Sequence, residues 1–152
     1  RYRLAVAEDV SRAAREFLSR ITGRERPLPQ RLPVVILDLL DLQRDGGSDA
    51  LLDIESLAIL IRDHGALPLG LSDRDDTVSP SGVLRYLLPD DPFWNSSAGS
   101  RDELLAGLVQ HSTLVIGTAT APLRAAAALS TPAIALWTDE HPTRSFDLSP
   151  SI

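Results

Sequence analysis

The run STLVIGTATAPLRAAAALSTPAIALW, from Ser112 to Trp137, constrains the fold of this chain more than any other feature. Ser112 to Gly117 is an apolar segment with β-branched residues and reads as a strand. Thr120 to Leu129 is Ala-rich and reads as a helix. Pro122 falls in its first turn, where a missing N–H costs nothing. Pro132 to Trp137 is a second apolar strand. Strand, tight turn, helix and strand in this order form the repeating unit of a parallel α/β sheet.

The upstream chain repeats the theme. Val6 to Ile21 predicts a helix, with Ala7, Ala13, Ala14, Phe17, Leu18 and Ile21 at spacings of three and four between charged positions. Gly23 stops it, and the Pro- and Arg-rich stretch from Arg24 to Pro33 is a linker. Pro33 to Leu40 (PVVILDLL) is a continuous apolar run, as expected for a strand buried on both faces. Ala50 to His64 predicts a helix ended by Gly65, and Ala66 to Leu71 a second strand. Gly82 to Leu88 reads as a short helix or turn, and Asp90 to Ser100 as irregular. Arg101 to His111 is a helix, with Ser100 and Glu103 spaced as a capping box. These elements predict a Rossmann-like α/β fold: a mostly parallel sheet of at least four strands with helices on both faces. Residues 1–32 form an N-terminal helix and linker, and 33–152 the α/β domain.

Composition excludes several chemistries. The 152 residues include no Cys and no Lys, all 15 basic residues being Arg, and the net charge is −6. Disulfides, thiolate catalysis, Cys-ligated zinc, Lys Schiff bases and a Walker-type phosphate loop are therefore absent. A negative chain with scattered Arg lacks the basic face that nucleic acid requires. Gln110 to Trp137 is rich in Ser, Thr, Pro and Ala and is interrupted by Arg124, so it is no membrane span. No signal peptide is read in Arg1 to Val10, and a cytoplasmic location is expected.

Ligands of parallel α/β sheets lie beyond the carboxyl ends of the strands. The segment Gly117-Thr118-Ala119-Thr120-Ala121-Pro122 stands at such an end. The unpaired N–H groups and positive dipole end of the following helix would face an anion there. Thr118 and Thr120 add hydroxyl donors, and Arg124 a charge suited to phosphate. A solvated turn that binds nothing is the competing reading.

Other clusters are weaker. Asp38 and Asp41 flank the end of the first predicted strand, with Asp45 following, and suit Mg²⁺, or else a strand end and turn. Asp139-Glu140-His141 is a metal or acid–base candidate, or a solvated loop. His64 suits a helix C-terminus. His111-Ser112 lacks a nucleophile-elbow pattern. Asn95-Ser96-Ser97 is a formal glycosylation sequon. Phe93 and Trp94 either plug the core or stack a ligand.

The run STLVIGTATAPLRAAAALSTPAIALWTDEHPTR resembles the donor-side segment of the ADP-heptose:lipopolysaccharide heptosyltransferases, two-lobed glycosyltransferases of the GT-B type. The looser pattern spans Pro33 to Arg144. The resemblance implies a single GT-B-type lobe that binds a nucleotide or nucleotide-sugar, with Gly117, Thr118, Thr120, Ala121, Arg124 and Thr138 at the ligand. Where the family pattern carries Asp, Gly and His, this chain has Ala119, Ala121 and Arg124. The family's catalytic base comes from a second lobe, so no catalytic residue, cofactor or metal is expected here, and a partner domain or protein is. A second resemblance covers Val34 to Leu71, which is similar to the N-terminal domain of the division inhibitor MinC and, more loosely, to STAS domains. It implies the alternative function: a non-catalytic interaction or regulatory module that kept the fold and lost the site.

Overall fold

The computed structural model describes residues 5–22, 32–39, 47–118 and 121–136. Five parallel strands form one sheet in the order β3-β2-β1-β4-β5: β1 (Val34–Asp38), β2 (Leu67–Leu71), β3 (Arg85–Leu87), β4 (Leu114–Gly117) and β5 (Ala133–Ala135). The helices are α1 (Glu8–Thr22), α2 (Gly47–Asp63), α3 (Arg101–Gln110) and α4 (Ala121–Leu129), with a 3₁₀ turn at Pro92–Asn95.

The continuous apolar run predicts the most buried strand, and β1 is buried at all five positions. It lies in the middle of the sheet, paired with β2 on one side and β4 on the other. Alternate side chains enter opposite layers. Val34 and Ile36 join Val10, Phe17, Leu18, Leu104, Leu108 and Leu123, the layer of α1, α3 and α4. Val35 and Leu37 join Ile54, Ala58 and Ile61, the layer of α2. Helices thus cover both faces, as the alternation of elements predicts.

The two layers differ in thickness. Helix α3 is wedged between α1 and α4 and buries Leu104, Ala106, Gly107, Leu108 and Val109. Helix α1 is amphipathic and buries only Val10, Ala14, Phe17 and Leu18, one stripe at spacings of four, three and one. A Cβ at Gly107 would stand 3.1 Å from both Ala14 Cβ and Val10 Cγ1 and 3.3 Å from the Val10 carbonyl. The two helix backbones approach this closely because position 107 has no side chain. One polar link joins them nearby: Ser11 Oγ and His111 Nε2 are 2.8 Å apart.

Local rules account for the ends of elements. Ser100 Oγ accepts from the Glu103 N–H and the Glu103 carboxylate accepts from the Ser100 N–H, which completes the capping box. Gly65 has φ +82°, and the His64 ring is bonded to the Leu60 carbonyl at the end of α2. One expectation fails. The segment 82–88, read as a helix or turn, contains the edge strand β3, whose Arg85 is exposed and Tyr86 half-buried. An edge strand shows no continuous apolar run, so its signal is weak. Among the described residues no helix is long and apolar enough to cross a membrane.

Candidate ligand site at the carboxyl end of the central strands

In the order β3-β2-β1-β4-β5 the chain runs outward from β1 through β2 to β3, then returns to β4 on the other side of β1. The topological switch point therefore falls between β1 and β4. Helices α2 and α4, which follow these two strands, pack on opposite faces of the sheet, the arrangement that in open parallel sheets places ligands beyond the carboxyl ends. Asp38, the last residue of β1, is in register with Gly117, the last residue of β4. Asp38 is 4% exposed and Thr118 is 6% exposed. Thr118 Oγ1 makes no hydrogen bond among the described residues. A buried hydroxyl without a partner is uncommon, because its desolvation goes uncompensated.

Helix α4 begins at Ala121, with Pro122 buried in its first turn. Its first-turn N–H groups have no carbonyl of their own helix to bond. Ala121 and Arg124 are exposed, and Arg124 makes no ion pair among the described residues. Gly117 is buried, and its carbonyl accepts from the Leu136 N–H at 2.7 Å, which fixes β5 beside the turn. The structure therefore brings Gly117, Thr118, Ala121 and Arg124 to one edge of the sheet. Ala119, Thr120 and Thr138 lie outside the described residues.

The connection leaving β2 rises from the same edge. Ser72 is buried, and its hydroxyl bonds Thr77 Oγ1 at 2.6 Å and accepts from the Arg74 N–H at 3.1 Å. Farther along, Glu55 of α2 accepts from Ser79 Oγ at 2.7 Å and 3.0 Å and from Ser81 Oγ, at 8% exposure. The sequence reading missed this clamp. Its members are 24 and 26 residues apart, so only the fold brings them together.

Most competing candidates find structural roles. Ser112 Oγ donates to the Leu108 carbonyl, the helical back-bond of a structural serine. Phe93 is buried with its ring 4.7 Å from Phe17, and Trp94 carries the Arg101 guanidinium 4.3 Å from its ring centroid. No group of three or more His, Cys, Asp or Glu that could hold a metal occurs among the described residues. Asp41, Asp45 and Asp139-Glu140-His141 lie outside them.

No protein-family model matches the chain, and no curated protein matches it by sequence. Among solved structures it is similar to the E. coli ADP-heptose LPS heptosyltransferase II, with a TM-score of 0.56 over 89% of this chain. The chain shares the Rossmann-like α/β fold of the matching part of that enzyme. The likeness is one of fold, since sequence identity is 14%, and this chain spans 39% of that enzyme's length. The comparisons lend the MinC reading no support. Val34 to Leu71 is the β1-α2-β2 unit of this sheet, and its apolar pattern is common to any buried strand–helix–strand.

Proposed function

We propose that this domain binds a nucleotide or nucleotide-sugar at the turn between β4 and α4, as the binding part of a larger protein or complex. The observation that carries the reading is the buried Thr118 hydroxyl, unpartnered among the described residues, at the switch point and just before the N-terminus of α4. In this role Thr118 donates to a phosphate oxygen, the first turn of α4 supplies backbone N–H groups, and Arg124 neutralises charge. The similar E. coli enzyme is named for ADP-heptose, which supports a diphosphate-linked ligand. The reading assigns no catalytic residue. A second group on a partner domain or protein would act on the bound sugar.

Calorimetric titration with ADP, UDP and GDP tests the proposal. One nucleotide should bind with a stoichiometry of one, and Arg124→Ala should weaken it. If no nucleotide gives heat at millimolar concentration, the binding reading is wrong. The favoured alternative is then an interaction module, to which the Ala119, Ala121 and Arg124 departures already lean.

A further inference from the structure

The other end of the sheet carries a second concentration of charge. Arg20 lies in the last turn of α1, Arg62 in the last turn of α2, and Arg85 opens β3. All three line one open pocket of about 750 Å³ at the amino-terminal edge of β2 and β3. That volume lies within the ~300–1,000 Å³ typical of small-ligand sites.

The charge balance of this pocket opposes that of the molecule. The chain carries −6 overall, yet the pocket gathers three guanidinium groups. The lining carboxylate Asp91 accepts the Phe93 N–H at 2.9 Å and caps the 3₁₀ turn, and its one negative charge against three guanidinium groups leaves the lining net positive. None of the three guanidinium groups makes an ion pair or hydrogen bond among the described residues. Arg20 contacts the Phe17 ring at 5.7 Å from its centroid, so its charge stays available above an aromatic wall shared with Phe93. Elsewhere Arg12 is paired with Glu8 and Asp9, and Arg74 with Asp76. Like charges around one volume repel, and a multivalent anion relieves that repulsion while giving each planar guanidinium an oxygen partner.

We propose that the pocket lined by Arg20, Arg62 and Arg85 binds a small multivalent anion of the phosphate-ester or phosphoanhydride class, separately from the β4–α4 turn. The probes are inorganic pyrophosphate and tripolyphosphate, titrated calorimetrically into the whole 152-residue chain at low ionic strength. One pyrophosphate should bind per chain, and the double variant Arg62→Ala/Arg85→Ala should weaken it by at least about tenfold. Both side chains are exposed, so the melting temperature should barely move. The control Arg12→Ala/Arg15→Ala, on the outer face of α1, should bind as the parent does. Arg124→Ala should also bind pyrophosphate normally, which keeps this site distinguishable from the nucleotide site. A second measurement uses the unaltered chain: pyrophosphate should shift the backbone amide resonances of residues 17–22 and 85–93. Absence of binding at millimolar pyrophosphate, equal weakening in the Arg12/Arg15 control, or amide shifts confined to 117–124 would each overturn the proposal.

Discussion

Replacing Thr118 by Val separates stability from binding, and the two should move in opposite directions. Thr118 is 6% exposed, and its Oγ1 meets no partner among the described residues. Valine has nearly the same shape and the same β-branching, so the backbone after β4 need not change. What changes is the hydroxyl, whose burial without a bond costs roughly 1–3 kcal/mol. Allowing for imperfect repacking, Thr118→Val should stabilise the ligand-free protein by about 1–2 kcal/mol. At ~2–4 °C per kcal/mol for a domain of this size, the melting temperature should rise by about 2–8 °C. Binding should respond the other way. A hydrogen bond to a charged phosphate is worth roughly 1.5–3 kcal/mol, so nucleotide affinity should fall by about 10- to 150-fold. Differential scanning calorimetry with and without nucleotide reads both effects on one sample. A lower melting temperature in Thr118→Val would refute the reasoning, because it would mean that the hydroxyl is already bonded within the fold. A stabilised variant with unchanged affinity would leave Thr118 a packing residue and remove the main support for the site.

Gly107→Leu should lower stability by about 2–3 kcal/mol, because a branched side chain must enter a contact already at 3.1 Å. Gly107→Ala should be nearly neutral, its helix-propensity gain of about 1 kcal/mol offsetting the crowding, and urea unfolding of the pair tests the order. Glu55→Ala removes the carboxylate to which Ser79 and Ser81 donate and should cost roughly 1–3 kcal/mol, with faster amide exchange at 79–84 as the local signature. Ser100→Ala removes one half of the capping box and should cost about 1 kcal/mol at neutral pH. The Ser100 backbone N–H, and after it the Ser100 hydroxyl, hold the Glu103 carboxyl below its ordinary pKa. Its contribution is therefore present above the ordinary carboxylate range and is lost as pH falls through the lowered value. The gap between parent and Ser100→Ala should narrow on acidification, which thermal melts across the acid range would detect.

The parts of the fold legible in the sequence are those whose cause is local. A strand buried on both faces is mostly apolar, which made Val34 to Leu37 visible, and a capping box is a spacing of three residues, which made the start of α3 visible. Strand β3 was not legible because its pairing with β2 at Leu69 and Gly70 comes from the sheet and not from its own residues. The ring of Tyr86 lies where a Cβ on Gly70 would be, 2.8 Å away, a fit that appears only when the strands are side by side. The candidate site follows the same division. Gly117, Thr118 and the first turn of α4 could be placed from a strand–turn–helix pattern. The Glu55 clamp and the Arg20–Arg62–Arg85 pocket join residues from separate elements, and no short window contains them.

The seating of α1 against α3 also has a consequence for synthesis of the chain. Val10 and Ala14 find their partner at Gly107, and Ser11 finds His111, a separation of 100 residues. At roughly 5–20 residues per second, the ribosome delivers α3 about 5–20 seconds after α1. Throughout that interval Val10 and Ala14 lack the Gly107 surface they close on. The sheet can begin to assemble from β1, α2 and β2 meanwhile, but the earliest helix cannot complete its docking until α3 has emerged. A nascent chain stalled before residue 107 should therefore be the species most prone to self-association and most attractive to a chaperone.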